Sequence, residues 1–241
     1  MKHVLSSRFL WAGVLLLSSS LASAGITLGG TRVVLQAPSK EGAILVKNQA
    51  PQDVMIQSWI EAEDSESAQD VPFAITPPLS RLGANKQQTL RILFQGQGLP
   101  TDRESVFRLN VQEIPQKPKS ENNLQIAIRQ RIKVFYRPNG LPGSAAEAPK
   151  SLEWRLVRES KKAAVEVSNN SAFYISFSGA VLKAGGKSYP IETNMIAPKS
   201  RQTFYVKDFS GGSFTSGMKV EFKTINDYGG VDNNSSSLGG G

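Results

Sequence analysis

Residues 124–138 read LQIAIRQRIKVFYRP, and their alternation decides the fold class. Even positions Leu124, Ile126, Ile128, Ile132, Val134 and Tyr136 are apolar, whereas odd positions include Gln125, Arg129, Arg131, Lys133 and Arg137. A period of two over this length predicts a β-strand with one buried face. At about 3.3 Å per residue the stretch would span roughly 50 Å, far beyond the usual strand of about 5 to 6 residues. On pattern alone the plainer reading is a long central strand in a sandwich core. The other is a strand meant for a second chain, since a long apolar edge invites pairing unless something covers it.

Outward from this stretch the chain is all β. Runs rich in Val, Ile and Phe recur between turn signals at 26–36, 43–47, 54–60, 88–94 and 105–114, which predicts an immunoglobulin-like sandwich over residues 25–140. PNGLPGSAAEAP follows at 138–149, and its prolines and glycines mark a linker, placed at 141–150. Further runs at 152–157, 163–167, 173–182, 202–206 and 218–225 predict a second, smaller sandwich over 151–230. The tail VDNNSSSLGGG, 231–241, has little apolar content and reads as disordered.

The first residues predict an exported protein. Lys2, His3 and Arg8 precede an apolar run at 9–17 and then Ala22-Ser23-Ala24, the form of a secretory signal at 1–24 cleaved after Ala24. That apolar run is far short of the roughly 20 residues a spanning helix needs, so no membrane insertion of the mature chain is expected. Cleavage would take two positive charges from a formal net charge of +8. Cys is absent, so burial and hydrogen bonding must hold the fold.

Absences narrow the chemistry. The only histidine is His3, so beyond the leader there is neither imidazole nor thiol. A Ser-His-Asp triad, a cysteine nucleophile and zinc sites built from His and Cys are excluded, and no catalytic residue, metal or cofactor is expected. The acidic cluster Glu61, Glu63, Asp64, Glu66 and Asp70 lacks the glycine and terminal glutamate of a calcium loop and reads as a solvated connection. Ser216-Gly217-Met218-Lys219 has Ser-x-x-Lys spacing without the companion motifs of acyl-enzymes. Aromatic platforms interleaved with basic residues are not evident, so nucleic acid is not an expected partner.

Thr31-Arg32-Val33, TPPLSRL at 76–82, LPTDRESVFRLNVQEIP at 99–115, the opening stretch at 124–138 and INDYGG at 225–230 together resemble the periplasmic pilus-assembly chaperones of the PapD-like, chaperone–usher family. The resemblance implies a boomerang of two immunoglobulin-like β-sandwich domains with a cleft between them. It implies a function too: binding and folding pilin subunits by lending a strand, then delivery to an outer-membrane usher. On that likeness Arg32 and Lys133 grip the subunit's C-terminal carboxylate, Leu124, Ile126 and Ile128 are the donor residues, and Glu104, Arg137 and Asp227 form charged contacts between the domains. Only nine residues separate Ile114 from Leu124, and with no Cys this resembles the short-loop subclass. A pilin-like or adhesive sandwich is the alternative, and whether the free chain self-associates to hide its edge stays open.

Overall fold

The computed structural model describes residues 25–63, 71–114, 126–159, 162–209 and 217–239. The expected signal segment 1–24 and most of the connection before the opening stretch's strand lie outside them. Nine strands build the first domain: β1 (Ile26–Leu28), β2 (Arg32–Gln36), β3 (Glu41–Asn48), β4 (Val54–Ala62), β5 (Phe73–Thr76), β6 (Leu79–Leu82), β7 (Gln87–Phe94), β8 (Ser105–Ile114) and β9 (Arg129–Arg137). They form two sheets, β1-β3-β7-β5 and β2-β9-β8-β4-β6. Between them Leu35, Ile56, Leu90, Ile92, Leu109, Val111 and Val134 are fully buried. Each such side chain contributes about 1.5–3 kcal/mol, so these contacts do the work that disulfides do in many exported proteins.

The expected single strand at 26–36 is two. β1 pairs antiparallel with β3 in one sheet, and β2 pairs parallel with β9 in the other. The crossing falls at Gly29 and Gly30, where a side chain on Gly29 would meet the Leu45 Cβ at 3.2 Å. This switch shapes the site, because β2 covers β9 only from Lys133 to Arg137.

β9 is also shorter than the alternation predicts. It spans Arg129–Arg137, nine residues, and only its even face meets the first core, through Ile132, Val134 and Tyr136. The β8–β9 ladder ends with the Glu113 amide donating to the Ile128 carbonyl at 3.0 Å. Ile126 and Ile128 carry on the apolar period, yet are 70% and 48% exposed and outside the strand. An apolar pattern becomes a strand only where a partner satisfies its backbone, and among the described residues the bond from Glu113 to Ile128 is the last that the β8–β9 ladder supplies. Leu124 lies outside the described residues.

The second domain holds β10 (Glu153–Glu159), β11 (Lys162–Asn169), β12 (Phe177–Ala184), β13 (Lys187–Ile191), β14 (Ser200–Tyr205), β15 (Lys219–Ile225) and β16 (Val231–Gly239). Their order is β13-β12-β15-β16-β10-β11-β14, and an Ile191–Val206 bridge joins the two edges, so the sheet folds back around Trp154, Leu182, Ile196, Val220 and Phe222. The connection at 141–150 is packed onto this domain, with Ala148 in its core and Leu141 and Ala145 against it.

Disorder of the 231–241 tail does not hold for Val231–Gly239, which form β16. β16 pairs antiparallel with β15 from Val231 to Ser237 and then parallel with β10 at Leu238 and Gly239. Its serines and asparagines carry the same backbone donors and acceptors as any residue, and β15 offers an edge to receive them. Leu238, buried near Trp154, anchors the end.

Candidate functional site

The odd residues of β9 form the other face of the opening stretch, and the structure spends each differently. Arg129 stacks over Trp59 at 5.9 Å, and Arg131 pairs with Glu61 at 2.7 Å. Lys133 donates to Ser176 Oγ of the second domain at 3.0 Å. Phe135 is buried beside Tyr174, ring centroids 6.1 Å apart. Arg137 reaches two carboxylates, Glu104 at 2.7 Å and Asp227 at 2.8 Å. Phe135 breaks the expected alternation of buried and exposed faces because the second domain covers it, a contact that no local period announces.

Arg32 and Lys133 are direct partners in the β2–β9 register. Arg32 Nη1 donates to the Ile225 carbonyl at 2.9 Å, and its guanidinium lies over Phe135 at 5.6 Å. Its Nε is buried without a hydrogen-bond partner among the described residues. Burial pulls Arg32 below the ordinary arginine pKa, against the charges of Asp227 and Glu104. Lys133 is pulled down to about 8, first by burial and then by the like charges of Arg108 and Arg32, with Glu63 opposing. Neither cation has an ion-pair partner among the described residues. Two half-buried cations side by side, one with an unused donor, make a place where an anion lowers the energy of both.

Glu104, Arg137 and Asp227, expected as contacts between domains, are brought together. Arg137 donates to Asp227 in a fork, at 2.8 and 3.0 Å. Glu104 receives Arg137 on one oxygen and the Tyr174 amide on the other, at 2.7 and 2.8 Å. Its side chain is 1% exposed. Burial raises the Glu104 carboxyl above the usual glutamate range, and the Arg137 charge works against that rise. A second clasp, missed in the sequence, joins Asp102 to Lys199 at 2.6 Å. Arg103 and then Lys199 hold the Asp102 carboxyl well below the usual carboxylate range.

Glu61 and Glu63 are held by Arg131 and Arg108 instead of lying free, while Asp64, Glu66 and Asp70 lie outside the described residues. Ser216 of the Ser-x-x-Lys spacing lies outside them too. Between the domains is a cavity of about 190 Å³, lined by Arg32, Phe135, Tyr174, Ser176, Asp227 and Tyr228 among others.

One edge of β9 is open. β8 pairs with β9 from Arg129 to Tyr136 on one side, and on the other β2 begins only at Lys133. Among the described residues no strand pairs with the second edge of Arg129–Ile132. Gln130 there sends its side-chain amide to the Ile26 carbonyl at 2.6 Å.

Comparison with known proteins gives a consistent picture. Residues 25–142 match the family described as "Pili and flagellar-assembly chaperone, PapD N-terminal domain", and 147–236 match "Pili assembly chaperone PapD, C-terminal domain". The probable fimbrial chaperone YadV of Escherichia coli is 40% identical over 222 residues, covering 88% of this chain and 89% of its own. A crystal structure of the YadV chaperone superposes with a TM-score of 0.77 at 39% identity, over 89% of this chain and all of the other. A Salmonella enterica structure of the SafA pilin in complex with the SafB chaperone matches with a TM-score of 0.74 at 28% identity, over 89% of this chain and 96% of that one.

Proposed function

This chain belongs to the pilus-assembly chaperones of the PapD-like family, and from that premise we propose that it holds a pilin subunit by lending it the open edge of β9. The observation that carries the reading is positional. β2 fills the β9 edge from Lys133 onward, so a guest strand entering along Arg129–Ile132 must stop where β2 starts. A guest running parallel to β9 therefore brings its C-terminus to Arg32 and Lys133. The lack of a carboxylate partner for either among the described residues and the unused Arg32 Nε suit a terminal carboxylate there. The SafA–SafB complex lends further support, as a relative of this chain that binds a pilin.

Exposed Ile126 and Ile128, with Leu124 before them, continue the donor stretch into the guest's groove. Each buried aliphatic contributes about 1.5–3 kcal/mol, and a charge-assisted hydrogen bond to the carboxylate a similar amount. Neither term dominates, and their tasks differ. A slip of one residue turns every side chain to the wrong face, so the anchored terminus fixes register while the aliphatics supply burial. Glu104, Arg137 and Asp227 fix the angle between the domains. A leader at 1–24, cleavage after Ala24, the short-loop assignment and delivery to an outer-membrane usher complete the proposal and rest on sequence and family membership.

Periplasmic co-expression with a candidate subunit tests the reading. Arg32→Ala with Lys133→Ala is expected to leave a folded chain that no longer retains the subunit. Retention at the wild-type level would contradict it.

A further inference from the structure

The INDYGG turn holds one residue that the proposed function does not use. Tyr228 is 97% exposed. Its side chain does not shape the turn. Asn226 Oδ1 accepts from the amides of Tyr228 and Gly230 at 3.1 and 2.9 Å, and the Asn226 amide donates to the Gly230 carbonyl at 2.9 Å. Asp227 fastens the turn to Arg137, and Gly229, at φ +83°, fits against Thr31, where a Cβ would come within 2.5 Å of Oγ1. The turn is therefore fixed to the first domain at two points while it presents a tyrosine to solvent. An exposed aromatic on a fixed turn, with few rotamers to lose, is the kind of side chain that anchors interfaces.

Its position selects the partner. Tyr228 lines the same cavity as Arg32, and Arg32 Nη1 bonds Ile225, the residue before the turn. A guest whose carboxylate rests on Arg32 and Lys133 ends beside this turn. Asp232, whose carboxylate receives the Asn226 side-chain amide, lines the cavity too and sets a negative charge there.

We infer that Tyr228 forms a contact for the side chain of the guest's terminal residue, favouring an aromatic or large apolar one and disfavouring an acidic one. The inference rests on the carboxylate-anchoring reading. It makes the site a reader of which residue ends the guest as well as of the terminal charge.

The test uses the full chain and short synthetic peptides of alternating valine and threonine ending in Phe, Ala or Glu, with the Phe peptide also made as the amide. Wild-type chain is expected to bind the Phe acid about tenfold more tightly than the Ala acid, with the Glu acid weakest. Tyr228→Ser should melt at the wild-type temperature and bring the Phe-to-Ala ratio near one while keeping its preference for acid over amide. Tyr228→Phe should retain the ratio. An unchanged ratio in Tyr228→Ser, or no discrimination by wild type, overturns the inference. A wild-type chain that binds none of the peptides, or does not distinguish acid from amide, overturns the anchoring itself and the inference with it.

Discussion

Arg32 and Lys133 face each other across the parallel β2–β9 pair, and neither meets a carboxylate among the described residues. Two half-buried cations side by side repel each other and lose hydration, a cost that the charges of Asp227, Glu104 and Glu63 offset only in part. An arrangement of this kind is stabilised by what binds to it.

The first expectation concerns pH. Lys133 in the free chain titrates at about 8, below its ordinary 10.5. A bound carboxylate favours the charged ammonium, so the bound pKa is higher than the free one. Affinity for a guest should be full below about pH 8 and weaken as pH rises past it, by at most about tenfold per unit. Lys133→Arg, which stays charged, should flatten that slope in a titration of binding against pH.

Folding of the free chain carries the opposite sign. With a folded pKa below the unfolded one, Lys133 costs stability that is fully present below about pH 8 and is relieved as pH rises toward 10.5. Lys133→Met should therefore raise the melting temperature of the free chain at pH 7 while abolishing guest retention.

Ile126→Glu and Ile128→Glu separate binding from folding. Both side chains are exposed, Ile126 more than Ile128, so urea midpoints should stay close to the wild-type value. Guest retention in the periplasm should be lost, because a charge would have to enter an apolar groove at a cost of about several kcal/mol.

Arg137→Ala leaves Glu104 buried without its cation. A loss of about 3–5 kcal/mol is expected in denaturant unfolding, with the domains freed from their fixed angle in solution scattering. Glu104→Gln, which keeps the shape and the acceptor for the Tyr174 amide, should cost less.

Leu238→Ala tests the last strand. A side chain buried at the end of β16 should cost about 2–5 kcal/mol on truncation, measured by urea unfolding, whereas a residue in a disordered tail would cost nothing.

Much of this was legible in the sequence where the signal is local. The even positions of β9 gave its core face, and the blocks around Arg32, Lys133, Glu104, Arg137 and Asp227 marked residues that the fold brings into two clusters. What was not legible depends on distant partners. Phe135 is buried because Tyr174 covers it, and Asp102 meets Lys199 from a different domain. The run at 26–36 divides because its two halves pair with different sheets. β16 forms from polar residues because β15 supplies a ladder, which side-chain hydropathy does not register. Ile126 and Ile128 show the converse, a strand pattern without a strand among the described residues.

A crystal structure of this chain bound to its pilin subunit is the most direct measurement. The expected result is a guest strand hydrogen-bonded along Arg129–Ile132, parallel to β9, with its terminal carboxylate about 2.7–3.2 Å from Arg32 and Lys133. A guest seated elsewhere, with that edge empty and both cations still lacking an anion, would contradict it.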